Sequence, residues 1–243
     1  MFGKIQSAGS FEVLNPKTMT EIKQLRHALD QIQYPEVLVQ KINGEITGPG
    51  FFPGAWGNPA QIENISNLSY LVLGQDQDNE NGYEKSKKKG NEEYTRTWSE
   101  MEKLFHKAGI PLSDCFITNA LMGIRINAKS NSGPSPSLKE GKFVKECSEF
   151  LEMQISTQKP KAIICLGIVP LNMLGLISYQ LRTRLVGLNG FKDIDNRGLG
   201  FVNKLEFDRI ENFSCALVSL THPSYRFLNS SGRRFEGKTG DEA

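Results

Sequence analysis

Residues 160–167 read Pro-Lys-Ala-Ile-Ile-Cys-Leu-Gly, a continuous apolar run bounded by a proline and a glycine. Such a run, without alternating polar residues, is typical of a strand buried on both faces of a parallel sheet. Three other runs share this character, at residues 70–73, 115–118 and 215–220. Helical spacing of apolar residues separates the four runs, at residues 97–108, 137–158 and 170–176. The alternation predicts an α/β fold, a three-layer α/β/α sandwich with a central four-stranded parallel sheet.

The composition is that of an ordinary globular protein. Of 243 residues, 38% are hydrophobic and 23% are charged, so we expect one large folded domain and exclude wholesale disorder. The net charge of +2 is too small to indicate or to exclude nucleic-acid binding. We expect an N-terminal extension that packs on the core at residues 1–60, a main domain at residues 61–235 and a flexible tail at residues 236–243.

Export and membrane insertion are not expected. Residues 1–17 lack the apolar core of a signal peptide, and the most apolar stretch, residues 162–177, is shorter than the roughly 20 residues of a membrane span. The four cysteines form no C-x-x-C pair and are interpreted as buried free thiols, not as metal ligands or disulfides: Cys115, Cys147, Cys165 and Cys215. We therefore expect a cytoplasmic protein in a reducing compartment, with no membrane partner.

Polar residues follow all four predicted strands, at the edge where an open parallel sheet binds its ligands. The first strand is followed by Gly74-Gln75-Asp76-Gln77-Asp78-Asn79, the second ends in Thr118-Asn119-Ala120, the third in Gly167, and the fourth is followed by Thr221-His222-Pro223-Ser224. A lone Asp, Asn or His at such a position is more often a turn or structural residue. Their coincidence at four strand ends favours a functional site.

This ordered set resembles the uracil-DNA glycosylase superfamily. Gly-Gln-Asp at 74–76, Ile-Thr-Asn-Ala-Leu at 117–121, the strand and glycine at 160–167 and His-Pro-Ser at 222–224 are similar to that superfamily's motifs. The similarity runs from about residue 70 to residue 234 and leaves the first 60 residues uncovered. It implies that residues 61–235 form a DNA glycosylase domain, which takes a base out of the helix and cleaves its bond to deoxyribose.

The resemblance also implies roles for single residues. Asp76 and His222 would be catalytic: Asp76 orients water and stabilises an oxocarbenium-like sugar, and His222 donates to the pyrimidine O2. Asn119 would read the edge of the base. We assign base binding to these residues of the same edge and of the loop that follows the first strand: Gln75, Asn119, Gln77, Asp78, Asn79 and Tyr83.

The motif departs from the strict uracil enzymes after Asp76. Those enzymes continue with Pro-Tyr-His, whose tyrosine excludes thymine, whereas this chain has Gln77, Asp78 and Asn79. One hypothesis is a pocket for a 5-substituted pyrimidine, including glucosylated hydroxymethylcytosine of modified viral DNA, which would mean antiviral defence. The alternative is uracil and DNA repair, with Tyr83 or Tyr94 as the missing wall. Tyr83, Tyr94 and Phe52 are the candidates for stacking on the base.

Further residues are assigned to DNA binding. Gly167 and Ser224 would hold phosphates, and Arg226 or Phe227 would fill the gap left by the base, although a core position for Phe227 fits equally well. Lys87, Lys88 and Lys89 are the expected backbone contacts, with Arg233 and Arg234 next. A solvated loop tip is the alternative for the lysines, given the nearby glutamates.

We expect no cofactor and no metal. Cys147 resembles one cluster ligand of some superfamily members, but the other cysteines of that cluster are missing, so no iron–sulfur cluster is predicted. No lysine is placed as a Schiff-base nucleophile, so we expect a monofunctional, monomeric enzyme acting on DNA. Two rivals remain open: a catalytically silent DNA-binding module on the same fold, and a nucleotide-binding α/β protein, although the glycine-rich phosphate motifs are absent.

Overall fold

The computed structural model describes residues 20–41, 64–89, 95–126, 133–225 and 230–240, apart from the side chain of Lys87. The helices within these ranges are α1 (Glu21–Asp30), α2 (Glu80–Lys89), α3 (Arg96–Ala108), α4 (Gly141–Gln158), α5 (Ile168–Ile177), α6 (Tyr179–Leu185) and α7 (Phe191–Asn196). The strands are β1 (Val39–Gln40), β2 (Tyr70–Gly74), β3 (Cys115–Asn119), β4 (Ile124–Arg125), β5 (Ala162–Leu166), β6 (Phe201–Glu206), β7 (Ser214–Leu220), β8 (Arg234–Phe235) and β9 (Lys238–Thr239).

The central sheet has the strand order β3-β2-β5-β7-β6. The four strands predicted from apolar runs are its parallel members, and β2 lies between β3 and β5 with Leu71 beside Phe116 and Ile163. Their carboxyl ends therefore meet at one edge, as the alternation of strands and helices predicts.

Each face of the sheet packs against helices. On one face, Leu71 and Leu73 of β2 join a large core with residues of α1, α4 and α5. On the other face, Val72 packs with Trp98, Met101 and Phe105, the buried stripe of α3. Because alternate residues of one strand point to opposite faces, these two cores define the three layers of the predicted α/β/α sandwich.

The sheet has one strand more than predicted. Strand β6 pairs antiparallel with β7 at the edge of the sheet, with Phe201 beside Val218 and Glu206 beside Ser214. In β6 only Val202 and Leu205 are buried. Continuous apolar runs do not predict β6, because an edge strand with a solvated face needs no such run.

Two further segments differ from expectation. Tyr83 is expected in the loop that follows the first strand, but it lies in α2, Glu80–Lys89. Residues 236–240 were assigned to a flexible tail, yet β8 and β9 form an antiparallel hairpin across residues 234–239. Both elements expose most of their residues, so hydrophobic patterning gave no signal for them.

Part of the N-terminal extension belongs to the core. Helix α1 buries Ile22, Leu25 and Leu29 and packs against α4. The chain then reaches β1, which pairs antiparallel with the short strand β4. None of the helices in the described part of the chain has the length and apolar character needed to cross a membrane.

Replacement of Leu25 by alanine tests this packing. Leu25 is fully buried, and we expect Leu25→Ala to lower the free energy of unfolding by about 2–5 kcal/mol, since it removes methyl groups and leaves a cavity. Lys23→Ala, on the exposed side of α1, is the matched control and is expected to change it by less than about 0.5 kcal/mol. Urea denaturation measures both, and equal stability of the two variants would mean that α1 is not part of the core.

Candidate active site

The carboxyl ends of the parallel strands form one wall of a cavity of about 510 Å³. The register places Gly74 of β2 beside Asn119 of β3, and the Gly167 N–H donates to the Leu220 carbonyl across β5 and β7 at 2.9 Å. The cavity wall includes these predicted site residues: Gln75, Asp76, Gln77, Asp78, Asn119, Gly167, His222 and Ser224. The structure thus brings together a carboxylate, an amide and an imidazole from three separate strand ends.

Asp76 forms a buried ion pair that was not expected from the sequence. Its Oδ2 accepts a hydrogen bond of 2.6 Å from Nε of Arg125. The side chains of Asp76 and Arg125 are only 6% and 4% exposed. Because burying one charge alone is costly, each side chain makes the burial of the other tolerable.

Gln75 supports the same carboxylate. Its Nε2 donates to Oδ2 of Asp76 at 3.2 Å and to the carbonyl of Gly133 at 3.1 Å. Nη2 of Arg125 donates to that same carbonyl at 3.1 Å. Among the described residues, the hydrogen bonds to Asp76 all reach Oδ2, which leaves Oδ1 as the oxygen available to a water or a ligand.

Asn119 presents an unsatisfied amide to the cavity. The residue is 1% exposed, and neither Oδ1 nor Nδ2 has a hydrogen-bond partner among the described residues. Its Oδ1 lies directly over Gly74, where a β-carbon would collide with it. A buried amide without partners costs free energy, so a ligand that supplies a donor and an acceptor would bind favourably there.

His222 follows β7, beside the glycine that ends β5. A β-carbon on Gly167 would lie 3.9 Å from Cβ of His222. Burial lowers the pKa of His222, and the positive charge of Arg125 lowers that pKa further. The imidazole is therefore neutral at pH 7, with one N–H to donate. Its Nδ1 has no hydrogen-bond partner among the described residues.

Gly167 and Ser224 lie on the cavity wall as well. Gly167 precedes α5 with a φ of 112°, a backbone conformation that other residues rarely adopt. Oγ of Ser224 forms a hydrogen bond of 2.6 Å with Oγ1 of Thr97, in the first turn of α3. This bond ties the His-Pro-Ser segment to a helix on the opposite face of the sheet from α5.

The residues after Asp76 separate into two groups. Gln77 and Asp78 line the cavity, and Gln77 is 2% exposed. Asp78 has a φ of 73°, its Oδ1 accepts from the Asn79 N–H at 2.6 Å, and burial raises its pKa. Asn79 and Tyr83 are not among the lining residues; Oδ1 of Asn79 accepts from the N–H of Gly82 in the first turn of α2.

The basic residues assigned to DNA occupy different environments. Lys88 and Lys89 are exposed near the end of α2, and the side chain of Lys87 lies outside the described part of the chain, as do Arg226, Phe227, Tyr94 and Phe52. Arg233 was expected to contact phosphate. It is not open for that contact, since its Nε donates to both carboxylate oxygens of Asp195 at 3.1 and 2.9 Å.

The same arginine positions an aromatic residue that the sequence analysis missed. The guanidinium of Arg233 lies 5.0 Å from the ring centroid of Phe191, and Phe191 lines the cavity. Trp98 and Tyr225 are the other aromatic lining residues in the described ranges. Nothing in the local pattern around Phe191 indicated this position, because it lies outside the strand ends.

The sequence around Arg125 indicates that this arginine is buried. It follows Leu121, Met122 and Ile124 in a stretch of apolar residues, and a charged residue there implies burial with a partner. The identity of that partner, Asp76, does not follow from the sequence pattern.

The four cysteines are buried free thiols. Burial raises the pKa of Cys115, Cys147 and Cys215 to about 12 and also raises that of Cys165, so all four are protonated at neutral pH. Within the described ranges, no three His, Cys, Asp or Glu residues are grouped so that they could hold a metal ion.

The chain matches the model of a known protein family. A family model described as the Uracil DNA glycosylase superfamily matches residues 63–240. No curated protein matches the chain. The matched range contains every cavity residue described above, whereas α1 and β1 precede it.

The protonation of His222 can be measured directly. We expect its pKa to lie below the ordinary value of 6.5, because burial and Arg125 both disfavour the imidazolium. A depressed native pKa contributes stability that is present above the unfolded pKa and is lost as the pH falls, since the unfolded chain takes up the proton first. A ¹⁵N-detected NMR titration measures the pKa, with His222→Asn to assign the signal. A pKa above 6.5 would contradict the lowering of the pKa by burial and by Arg125.

Proposed function

Because the chain belongs to the uracil-DNA glycosylase superfamily, we propose that it is a monofunctional DNA glycosylase. In this reaction the bond between a flipped pyrimidine and C1′ of deoxyribose breaks, and the electron pair leaves with the base. The water oxygen then bonds to C1′, and the proton that water loses ends on the released base. The products are a free base and an abasic site.

The unsatisfied amide of Asn119 carries this proposal. It is a buried donor and acceptor pair, side by side, at the end of β3, and it lines the same cavity as Asp76 and His222. The Watson–Crick edge of a pyrimidine offers a complementary acceptor and donor. A site with buried polar groups of this kind rejects ligands that leave those groups unpaired, which supports a base as the ligand.

Asp76 supplies the negative charge, and His222 the hydrogen-bond donor, that the reaction needs. Oδ1 of Asp76 accepts a hydrogen bond from the attacking water, and the negative charge of the carboxylate stabilises the positive charge that develops on the sugar. Neutral His222 donates to O2 of the base as negative charge builds there. Gly167 and Ser224 are proposed to hold the flanking phosphates, with Lys87, Lys88 and Lys89 as backbone contacts outside the cavity.

The substrate is proposed to be either uracil or a 5-substituted cytosine, including the glucosylated hydroxymethyl form. The second candidate is supported by the size of the cavity, about 510 Å³, which lies in the range of pockets that bury drug-sized ligands, roughly 300–1,000 Å³. Gln77, Asp78 and Ser86 contribute polar groups to its wall, suited to hydroxyl groups on such a substituent. If uracil is the substrate, we propose a cytoplasmic, monomeric enzyme of DNA repair. If the modified cytosine is the substrate, we propose a role in antiviral defence.

A base-release assay tests the reaction and the substrate together. Oligonucleotides carry uracil, thymine, 5-hydroxymethylcytosine or its glucosylated form, and released base and abasic sites are quantified. We expect release from at least one of them, and we expect Asp76→Asn and His222→Ala to slow it at least about 100-fold, since each removes a group that acts in the transition state.

The outcomes separate the hypotheses. Release of uracil alone would assign the enzyme to repair, whereas release of the substituted cytosines would point to modified DNA. Binding of the oligonucleotides without release of any base would refute the glycosylase proposal for these substrates and favour a catalytically silent DNA-binding module. Binding of free nucleotides but not of DNA would refute the DNA glycosylase proposal and favour a nucleotide-binding role on the same fold.

Gly74→Ala tests the role of the Asn119 amide without changing a polar group. The new β-carbon would collide with Oδ1 of Asn119 and displace the amide. We expect base release to fall at least about tenfold, close to the loss caused by Asn119→Ala, because a misplaced hydrogen-bonding group no longer matches the transition state. Gly141→Ala is the control, since a β-carbon there meets open space. Wild-type activity in Gly74→Ala would argue against base recognition by Asn119.

A further inference from the structure

Strand β4 is held from both sides by backbone contacts. On one side the Arg125 N–H donates to the Asp78 carbonyl at 2.9 Å. On the other side Val39 of β1 pairs with Arg125, and the Ile126 N–H donates to the Leu38 carbonyl at 3.0 Å. Strand β1 lies outside the family match at residues 63–240, so a segment beyond the matched domain contacts the strand that carries Arg125.

The approach of β1 to β4 depends on a glycine. A β-carbon on Gly123 would collide with Cγ1 of Val39, and it would lie 3.3 Å from a ring carbon of Tyr34. Val39 is 3% exposed, so its side chain is enclosed and has little room to move away. Gly123 and Val39 together set the distance between the N-terminal segment and the strand of Arg125.

The Arg125 side chain connects β4 to the cavity. It is 4% exposed, Nε contacts Oδ2 of Asp76 at 2.6 Å, and Nη2 contacts the Gly133 carbonyl at 3.1 Å. A guanidinium is planar, keeps its charge and donates in fixed directions. A shift of β4 therefore moves or breaks the bond to Asp76, and with it the orientation of Oδ1.

We propose that β1, through its contact with Gly123, positions Arg125 and thereby the carboxylate of Asp76 for reaction. This inference rests on the proposed function, because it takes Asp76 as the carboxylate at the reacting centre. Arg125 is then a positioning residue, and residues 38–40 are part of the support of the active site although they precede the matched domain.

The rival explanation is that the Asp76–Arg125 pair and the β1–β4 contact serve stability alone. Buried ion pairs are weak evidence of stability, and removal of one partner leaves an uncompensated charge. If the contacts serve stability alone, a substitution lowers the melting temperature but leaves the single-turnover rate of the folded enzyme unchanged. If they position Asp76, a substitution lowers that rate at a temperature where every variant is folded.

The test uses Gly123→Ala, Val39→Ala and the double variant in the full chain. Base release is measured in single turnover, with saturating enzyme and the oligonucleotide that the wild type cleaves. We expect Gly123→Ala to lower the rate about 10- to 100-fold with little change in DNA affinity, because a displaced reacting group costs rate more than binding. Val39→Ala removes Cγ1, so the double variant should recover to within about threefold of wild type although it has lost a buried side chain.

A second series changes the ion pair itself. We expect Arg125→Gln to lower the rate about 100-fold and Arg125→Lys to lower it less, since lysine keeps the charge but not the fixed direction of the donor. Arg182→Gln, which breaks the exposed pair with Asp208, and Gly141→Ala are controls expected to match wild type. Melting temperatures are recorded for every variant.

Wild-type rates in folded Gly123→Ala and Arg125→Gln would overturn the inference while the proposed function stands. Slow release by Gly123→Ala that Val39→Ala does not restore would also overturn it, because the collision would then not be the cause. If the wild type releases no base at all, the proposed function fails and the inference fails with it. If Arg125→Gln does not fold, the Gly123 and Val39 series decides alone.

Discussion

Parallel pairing of four buried strands is the constraint on which the rest of the structure depends. Because β2, β3, β5 and β7 run in one direction, their carboxyl ends meet at a single edge. Asp76, Asn119 and His222 are far apart along the chain, yet this register alone brings them to one cavity. The two cores on either face hold the strands in that register, so the geometry of the site depends on the packing of the sheet.

Within that edge, the arrangement of buried charges decides what the groups can do. Asp76 is buried as a carboxylate because Arg125 and Gln75 donate to it. The same arginine disfavours a proton on His222, so one cation influences both residues proposed to be catalytic. Asn119 has no such compensation among the described residues, so a ligand that pairs its donor and its acceptor would bind favourably there.

The family match begins after two elements that pack on the matched domain. Helix α1 shares its core with α4, and β1 pairs with β4, although both precede residue 63. The expectation that residues 1–60 form an extension packing on the core rested on sequence coverage alone. The described part of that extension, residues 20–41, packs on the matched domain, and it does so next to the strand that carries Arg125.

The sequence was sufficient for the three layers, the parallel strands and the strand ends that line the cavity, because continuous apolar runs and helical spacing are local signals. It was not sufficient for β6, whose exposed face breaks the apolar run, or for α2, whose helix is mostly polar. Only the folded chain paired Asp76 with Arg125, separated Asn79 and Tyr83 from the cavity, and committed Arg233 to Asp195. These outcomes depend on distances between residues far apart in sequence, which packing sets and no local pattern encodes.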